Sequence, residues 1–318
     1  MPSELSEFAL IDKYFKRPLA YAENELGIGD DCALVRIPAG ETLAVSADML
    51  VAGRHFFPDV APFSLGWKSL AVNLSDLAAM GALPRWAMLS LALPEINEPW
   101  LAEFARGFFT LADEYQVRLI GGDTTRGPLN ISVQIMGTLP EQRALKRSAA
   151  RVGDEIWVSS HLGTALLALH HYQGRIRLND ADFATAANKM HLPEPRVALA
   201  LRLMAMEGVH AAIDISDGLS GDLGHLLTAS GVGAQLRLSD IPKHPMIARL
   251  SASEQAYFTL AGGDEYELCF TAQPQAHQQL LALGSYCIGQ ITAAPGLKLL
   301  DASGQDMPVP KSWDHFTS

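Results

Sequence analysis

The chain has 318 residues, the length of one large or two ordinary domains. Hydrophobic residues make up 48% and charged residues 19%, which is typical of globular proteins and argues against intrinsic disorder. Because 35 acidic residues outnumber 24 basic ones, the net charge of −11 disfavours nucleic acid as the main partner. An anionic ligand would need a feature that reverses the electrostatic field at its site.

The first half alternates strands and helices. Ser64 is the predicted N-cap of the first long helix, and Gly81 and Pro84 are predicted to end it. Asn97 with Pro99 begins the second helix. Strands are predicted at 42–47, 117–120 and 131–139, the second of them stopping at Gly-Gly-Asp, and helices at 65–80 and from 97 to about 116.

Residues 140–154 are polar and basic and have no apolar periodicity, so they form the best candidate for a domain junction. The second half again mixes both element types. Strands are predicted at 155–160, 211–213, 234–238 and 267–271, and helices from Gly163 onward, near 219–229 and near 274–283. The mixture predicts two α/β or α+β halves of comparable size.

The cysteines and the N-terminus favour a soluble cytoplasmic protein. Cys32, Cys269 and Cys287 are odd in number, far apart and without a CxxC pair, which argues against a disulfide framework or a structural zinc site. The first residues show no secretory signal pattern, and no stretch of 18 apolar residues occurs.

Eight aspartates lie beside glycine, alanine or aliphatic residues rather than in charged runs. They are Asp30, Asp31, Asp48, Asp76, Asp123, Asp214, Asp217 and Asp264. Each alone has an ordinary interpretation, because aspartate beside glycine is common in turns and helix N-caps. Several follow apolar strand-like segments, however, and loops held on a rigid scaffold often carry function.

Asp76 is the hardest of these to explain as a turn residue. Ser69, Asn73, Asp76 and Met80 share one helix face, and the apolar stripe lies on the adjacent faces. Asp76 is therefore predicted to be partly buried, and a buried charge needs a partner or a metal. Oxygen ligands without clustered histidine or cysteine favour Mg²⁺ or Ca²⁺, and Mg²⁺ often shares its ligands with substrate phosphates.

These observations favour a phosphate-handling enzyme, although the P-loop and Rossmann glycine motifs are absent. A noncatalytic structural module that binds Mg²⁺ or Ca²⁺ remains an alternative. If the protein bound metal but no nucleotide, this alternative would be favoured.

Seven motifs occur in an order and spacing that is similar to the thiamine-monophosphate kinase family, in the aminoimidazole ribonucleotide synthetase-like superfamily. They are GIGDDCA, SADMLVAGRHF, NLSDLAAMGA, LIGGDTTRG, DISDGL, GGDEYEL and the terminal WDHF. The resemblance extends from about residue 6 to residue 316. Another ATP-dependent synthetase of this superfamily is the nearest alternative. A selenophosphate synthetase would need a reactive cysteine, and the acidic surroundings of Cys32 disfavour a thiolate.

The resemblance implies a two-domain α/β (α+β) protein that forms a homodimer. Residues 1–140 would be an N-terminal, sheet-forming domain for ATP and Mg²⁺ binding and dimerisation, and residues 150–318 a C-terminal α+β domain closing the active site. The implied reaction is direct in-line transfer of phosphate from ATP to thiamine monophosphate, with several Mg²⁺ ions and no role for nucleic acid or membrane.

The resemblance also implies residue roles. The Mg²⁺ ligands would be Asp31, Ser46, Asp48, Asp76, Asp123, Asp214 and Asp217. The ATP contacts would be Gly122, Asp123, Arg147 and Ser216, and the substrate contacts His55, Asp264 and Trp313. Asp76, Asp123 and Arg147 would act most directly in catalysis.

This chain departs from the family pattern at two positions. The family commonly has threonine where this chain has Ala47, so a metal contact there would have to use the backbone. The family commonly reads Gly-Gly-Glu-Asp where this chain reads Gly-Gly-Asp-Glu, which leaves open whether Asp264 or Glu265 reaches the substrate.

Overall fold

The computed structural model describes residues 6–18 and 25–313. The chain divides into two compact units, one of residues 1–77 and 82–143 and the other of residues 78–81 and 144–318. Each unit contains a sheet with helices, which confirms the predicted mixed α/β class. Within the described residues, every helix is too short or too polar to cross a membrane.

The N-terminal unit contains the elements α1 (Glu7–Tyr14), β1 (Glu41–Val51), α2 (Pro62–Met80), β2 (Leu83–Leu93), α3 (Glu98–Glu114), β3 (Arg118–Arg126) and β4 (Asn130–Pro140). Its strands form a four-stranded sheet in the order β1-β4-β2-β3. Only the β2–β3 pair is parallel, and α3 connects these two strands. One face of the sheet carries buried Leu50, Leu89 and Val133.

The predicted start of α2 is wrong by three residues. The helix begins at Pro62, and the N–H of Leu65 donates to the carbonyl of Ala61 at 3.1 Å, so Ser64 lies inside the first turn. Proline is favoured at the first helical position because it has no N–H to leave unpaired. The predicted C-terminus is confirmed, since Gly81 has a φ of 71° and the N–H of Ala82 donates to Leu77.

The strand predicted at 117–120 does not stop at Gly-Gly-Asp but continues as β3 to Arg126. Gly122 has a φ of 148°, and a Cβ there would lie 1.8 Å from the carbonyl oxygen of Leu89. The glycine therefore allows β3 to approach β2 closely, and is not a turn signal. The N-cap of α3 is confirmed, because the Asn97 side chain accepts from the N–H of Trp100 at 3.1 Å.

The C-terminal unit contains a seven-stranded sheet. Its strands are β5 (Glu155–Val158), β6 (Val209–Ile215), β7 (Gly233–Arg237), β8 (Glu267–Ala272), β9 (Tyr286–Thr292), β10 (Gly296–Leu300) and β11 (Asp306–Met307). The strand order in the sheet is β11-β10-β7-β9-β5-β8-β6, and only β10 and β7 pair in parallel. The helices of this unit are α4 (Thr164–Tyr172), α5 (Asp180–His191), α6 (Val197–Ala205), α7 (Leu219–Ser230), α8 (Pro245–Ala248), α9 (Ala252–Ala261) and α10 (His277–Ala282).

The predicted strands at 155–160, 211–213, 234–238 and 267–271 are present as β5 to β8. The expected helices correspond to α4, which has Gly163 at its N-cap, to α7 and to α10. The core of this sheet is apolar, and the buried rings of Trp157 and Phe270 stack with centroids 6.4 Å apart. Four helices of this unit, α5, α6, α8 and α9, were not expected from the sequence.

Candidate active site

The first group of predicted ligands joins β1 to α2 in the N-terminal unit. Ser46 and Asp48 are two apart on β1 and point to the same side of the strand. The hydroxyl of Ser46 donates to the Asp76 carboxylate, and the N–H of Asp48 donates to Asn73 Oδ1 at 3.1 Å. Asp76 is half-buried, as its position on the helix predicts.

A chain of hydrogen bonds along α2 holds Asn73 in place. Its amide nitrogen donates to the carbonyl of Ser69 at 3.0 Å, and the Ser69 hydroxyl donates to the carbonyl of Gly66 at 2.8 Å. Gly66 has no room for a side chain, because a Cβ would lie 2.0 Å from the carbonyl oxygen of Phe104 on α3. Close packing of α2 on α3 therefore fixes the helix that presents Asp76.

The other predicted residues of this unit lie on separate segments. Asp31 is exposed before β1, and its N–H donates to Asp30 Oδ1 at 2.9 Å, so Asp30 shapes the turn. Asp123 is exposed on the opposite edge strand of the sheet from β1. His55 accepts the N–H of Val51 at Nδ1, at 3.0 Å, which places the proton of a neutral ring on Nε2. The structure thus groups Ser46, Asp48 and Asp76.

The second group lies in the loop that follows β6. The Gly-Gly-Asp segment packs directly on this loop, since the N–H of Asp264 donates to the carbonyl of Ser216 at 2.8 Å. A Cβ on Gly263 would lie 2.6 Å from the same carbonyl oxygen, so glycine is needed for the contact. The N–H of Trp313 donates to the carbonyl of Asp217 at 3.1 Å, and the Trp313 side chain is 46% exposed.

Segments that are far apart in sequence therefore converge at Ser216, Asp217, Asp264 and Trp313 in the C-terminal unit. Asp214 is buried at the end of β6, immediately before them. The last three residues of the WDHF motif lie outside the described residues.

Asp222 holds this loop in shape, and sequence reasoning missed it. Its Oδ2 accepts the N–H groups of Ser216 at 3.0 Å, Asp217 at 3.1 Å and Gly218 at 3.1 Å. Burial, and then the charges of Asp214 and Asp217, raises the pKa of Asp222 to about 7. The available signal was an acidic residue in the first turn of a helix that directly follows the Asp-Ile-Ser-Asp-Gly segment.

We expect Asp222→Ala to lower the free energy of unfolding by about 2 kcal/mol, because three backbone donors lose their acceptor. We expect the kcat of the phosphoryl transfer implied by the sequence to fall about tenfold or more, since the loop that carries Asp217 is no longer held in place. Asp222→Asn keeps an acceptor oxygen and should restore most of both quantities. Urea unfolding and steady-state kinetics of the two variants check this. Equal losses in Asp222→Ala and Asp222→Asn would show that the carboxylate charge matters and not the acceptor oxygen.

Asp264 and Glu265 have different environments. Asp264 is half-exposed, has a φ of 61° and accepts a hydrogen bond from the Tyr266 hydroxyl at 3.0 Å. Glu265 is fully buried, and its Oε1 accepts the N–H groups of Gly163 at 2.9 Å and Ala165 at 3.0 Å. Glu265 thus caps α4, whose own N-cap residue has no side chain.

Burial raises the pKa of Glu265 from its ordinary value of 4.5 to about 7, against the opposing charge of Lys189. Between these two pH values the folded state binds more protons than the unfolded state, so this residue's contribution to stability falls as pH rises. We expect Glu265→Gln to remove that loss. Relative to the unchanged protein, the variant should gain about 2 kcal/mol between pH 5 and pH 8.

Denaturant unfolding at both pH values measures this change. Glu95→Gln, at an exposed position, is the matched control and should show no such pH-dependent gain. A pH-independent difference between Glu265→Gln and the unchanged protein would contradict the expectation.

Arg147 lies in a short 3-10 turn at Arg147–Ala149, and its side chain is exposed. Its carbonyl accepts the Ser230 hydroxyl at 2.7 Å, which ties the turn to the end of α7.

The donors predicted to bind metal are all carboxylate or hydroxyl oxygens, the set that suits Mg²⁺. The residues of both groups therefore fit the predicted cation.

Residues 29–139 match the family described as AIR synthase related protein, N-terminal domain, and residues 151–301 match its C-terminal domain. The thiamine-monophosphate kinase of Salmonella typhimurium is 46% identical over 327 residues, which cover 98% of each chain. The chain belongs to the thiamine-monophosphate kinase family.

Solved structures of this kinase family share the fold. The thiamine-monophosphate kinase of Stenotrophomonas maltophilia has a TM-score of 0.81 and 44% identity, and the match covers 89% of this chain and 92% of that one. A structure of AaThiL complexed with AMPPCP and TMP has a TM-score of 0.78 and 29% identity, over 91% of this chain and 92% of that one.

Proposed function

We propose that the protein transfers a phosphoryl group from ATP to thiamine monophosphate and forms ADP and thiamine diphosphate. The observation that carries this proposal is the 46% identity to a thiamine-monophosphate kinase over 98% of both chains. The AaThiL structure with AMPPCP and TMP, whose fold this chain shares, supports ATP as the co-substrate.

Mg²⁺ would be held by oxygen donors of the two units. In the N-terminal unit these are Asp31, Ser46, Asp48, Asp76 and Asp123, and in the C-terminal unit they are Asp214 and Asp217. Bound Mg²⁺ supplies neutralisation of phosphate charge. ATP and a phosphomonoester together carry roughly −5 to −6 charges near pH 7, so their mutual repulsion is the main obstacle to reaction. Asp123 lies on a different strand from Asp48, which suits ions spread along a phosphate chain.

The remaining residues would bind and orient the two substrates. Gly122 is exposed beside Asp123 and would contact the nucleotide, and exposed Arg147 would offset phosphate charge. Trp313 offers a half-exposed aromatic face to the cationic ring of thiamine. His55 can donate from Nε2, and half-exposed Asp264 rather than buried Glu265 is the acid available to the substrate. Ser216 would contact the nucleotide.

The acceptor phosphate is already deprotonated at neutral pH, so transfer needs positioning more than a strong general base. We propose direct in-line transfer without a phosphoenzyme. Incubation with ATP, Mg²⁺ and thiamine monophosphate should yield thiamine diphosphate and ADP in equal amounts. Incubation with γ-labelled ATP alone should leave no label on the denatured protein. Covalently trapped label would overturn the direct mechanism, and no thiamine diphosphate would overturn the function.

We further propose a homodimer that works in the cytoplasm. Val45, Met49 and Met88 are exposed on the N-terminal sheet, and an apolar sheet face of this kind is suited to pairing with a second copy. The three cysteines are all free thiols, which suits a reducing compartment. Sedimentation equilibrium tests the dimer.

A further inference from the structure

Three side chains of different chemistry converge in the C-terminal unit, and none of them belongs to the proposed kinase site. Glu155 is the first residue of β5, Cys287 lies in β9, and His277 is the first residue of α10. One ligand atom from each lies within 4.8 Å of the other two. Among the residues that the structure describes, no other histidines, cysteines and acids meet this criterion.

The register of the sheet brings these residues together. Glu155 and Trp157 are two apart on β5 and share a face, and Cys287 lies directly opposite Trp157. A bulge between Ile156 and Trp157 re-aims the partner strand at this point. The Trp157 ring packs edge-on against the His277 ring at 5.0 Å, which holds the imidazole beside the two strands.

The distances are near those of a transition-metal site. Nδ1 of His277 lies 2.9 and 3.0 Å from the two Glu155 carboxylate oxygens. A tetrahedral zinc ion with ordinary bond lengths separates its donor atoms by roughly 3.5 Å. The three ligand atoms lie within 4.8 Å of one another, so small movements of the three side chains would allow three bonds. The His277 side chain, 35% exposed, has room to adjust. Because all three residues are only half-buried, water can take the fourth position.

We propose that Glu155, His277 and Cys287 form a binding site for Zn²⁺, separate in residues and in chemistry from the oxygen-only site proposed for Mg²⁺. Thiolate and imidazole select a borderline-soft cation and disfavour Mg²⁺. On binding, zinc–sulfur and zinc–Nδ1 bonds form with no change in oxidation state. The proton of the thiol passes to solvent, and the Nδ1 proton that His277 donates to Glu155 moves to Nε2 or to solvent. Bound Zn²⁺ ties β5, β9 and α10 together and stabilises the C-terminal unit.

The test measures binding and not kinase activity, so it stands apart from the proposed function. Co²⁺ serves as the spectroscopic probe, in the presence of excess Mg²⁺ to occupy oxygen sites. The protein carries Cys32→Ser, because Cys32 is the exposed thiol, whereas Cys269 is fully buried. One equivalent of Co²⁺ should produce a sulfur-to-metal charge-transfer band, and Zn²⁺ should abolish it by displacement.

Adding Cys287→Ser should remove the band and weaken Co²⁺ binding by about 100-fold, and His277→Gln should weaken it by about tenfold or more. His225→Gln, at an exposed position on α7, is the matched control and should bind normally. Zn²⁺ should also raise the Tm of the Cys32→Ser protein but not that of the Cys287→Ser variant. Metal-free Tm values of the variants check that each one folds.

The proposal is overturned if the band is absent, if it persists in Cys287→Ser, or if His277→Gln binds as well as the control. The first result would leave His277 and Glu155 as a hydrogen-bonded pair only.

Discussion

Asp76→Asn is expected to lower kcat about 1,000-fold, with ATP, Mg²⁺ and thiamine monophosphate as substrates. The substitution removes one negative charge from the group that joins β1 to α2, but it keeps the shape of the side chain. Asparagine can still accept the hydrogen bond of the Ser46 hydroxyl. The fold should therefore persist, and the Mg²⁺ concentration needed for half-maximal rate should rise.

Asp113→Asn is the matched control, since Asp113 lies in the same unit and pairs with Arg17 at the surface. It should leave kcat and the Mg²⁺ requirement unchanged, because exposed ion pairs contribute little. A near-normal kcat in Asp76→Asn would remove Asp76 from the proposed Mg²⁺ ligands. A large fall in its Tm would assign the residue a structural role instead.

Glu267→Gln is expected to lower the free energy of unfolding by about 3–5 kcal/mol, the usual consequence of leaving buried charges without their partner. Glu267 is fully buried, and its carboxylate binds Lys189, Arg196 and the Ser159 hydroxyl. Burial opposes the ionisation of Glu267, but the positive charges of Lys189 and Arg196 outweigh it and hold the pKa below its ordinary value. Its contribution to stability is therefore present at neutral pH and is lost as pH falls.

Glu194→Gln provides the comparison for this change. Glu194 also pairs with Arg196, at 3.1 Å, but its side chain is 67% exposed. Denaturant unfolding at pH 7 should show a loss below about 1 kcal/mol for Glu194→Gln. Similar losses in the free energy of unfolding for Glu194→Gln and Glu267→Gln would mean that the buried network is not the source of the stability.

Local patterns were sufficient for many elements of the fold. The glycine after α2, the asparagine before α3 and the apolar strands of both units act through nearby backbone groups, so their effect is readable over a few residues. Local rules failed where a distant segment decided the conformation. The Gly121–Gly122 pair suggests a turn, but β2 pairs with it and keeps the chain extended.

The candidate site shows the same division. The order of the acidic motifs indicated the family, and the spacing of Ser69, Asn73 and Asp76 predicted a polar helix face. The role of Asp222 was missed, because an acidic residue in the first turn of a helix does not by itself indicate hydrogen bonds to three N–H groups of the preceding loop. The same holds for Asp264 and Glu265, which are neighbours in sequence but lie in opposite environments.

By itself, the sequence determined the fold class, the family and the acidic residues that carry the proposed chemistry, since those depend on residue identity and short-range order. The net charge of −11 pointed away from anionic partners, and the motifs reassigned part of that charge to predicted Mg²⁺ ligands. The partial burial of Asp76 was readable from its helix position, but only the tertiary structure decided which acids are fully buried, which pair with cations and which backbone groups they hold. The contribution of each acid to stability depends on its burial and on the distance to its partner. Burial and partner distance in turn depend on segments more than 100 residues apart in sequence, as in Glu265 with Gly163 and Glu155 with His277.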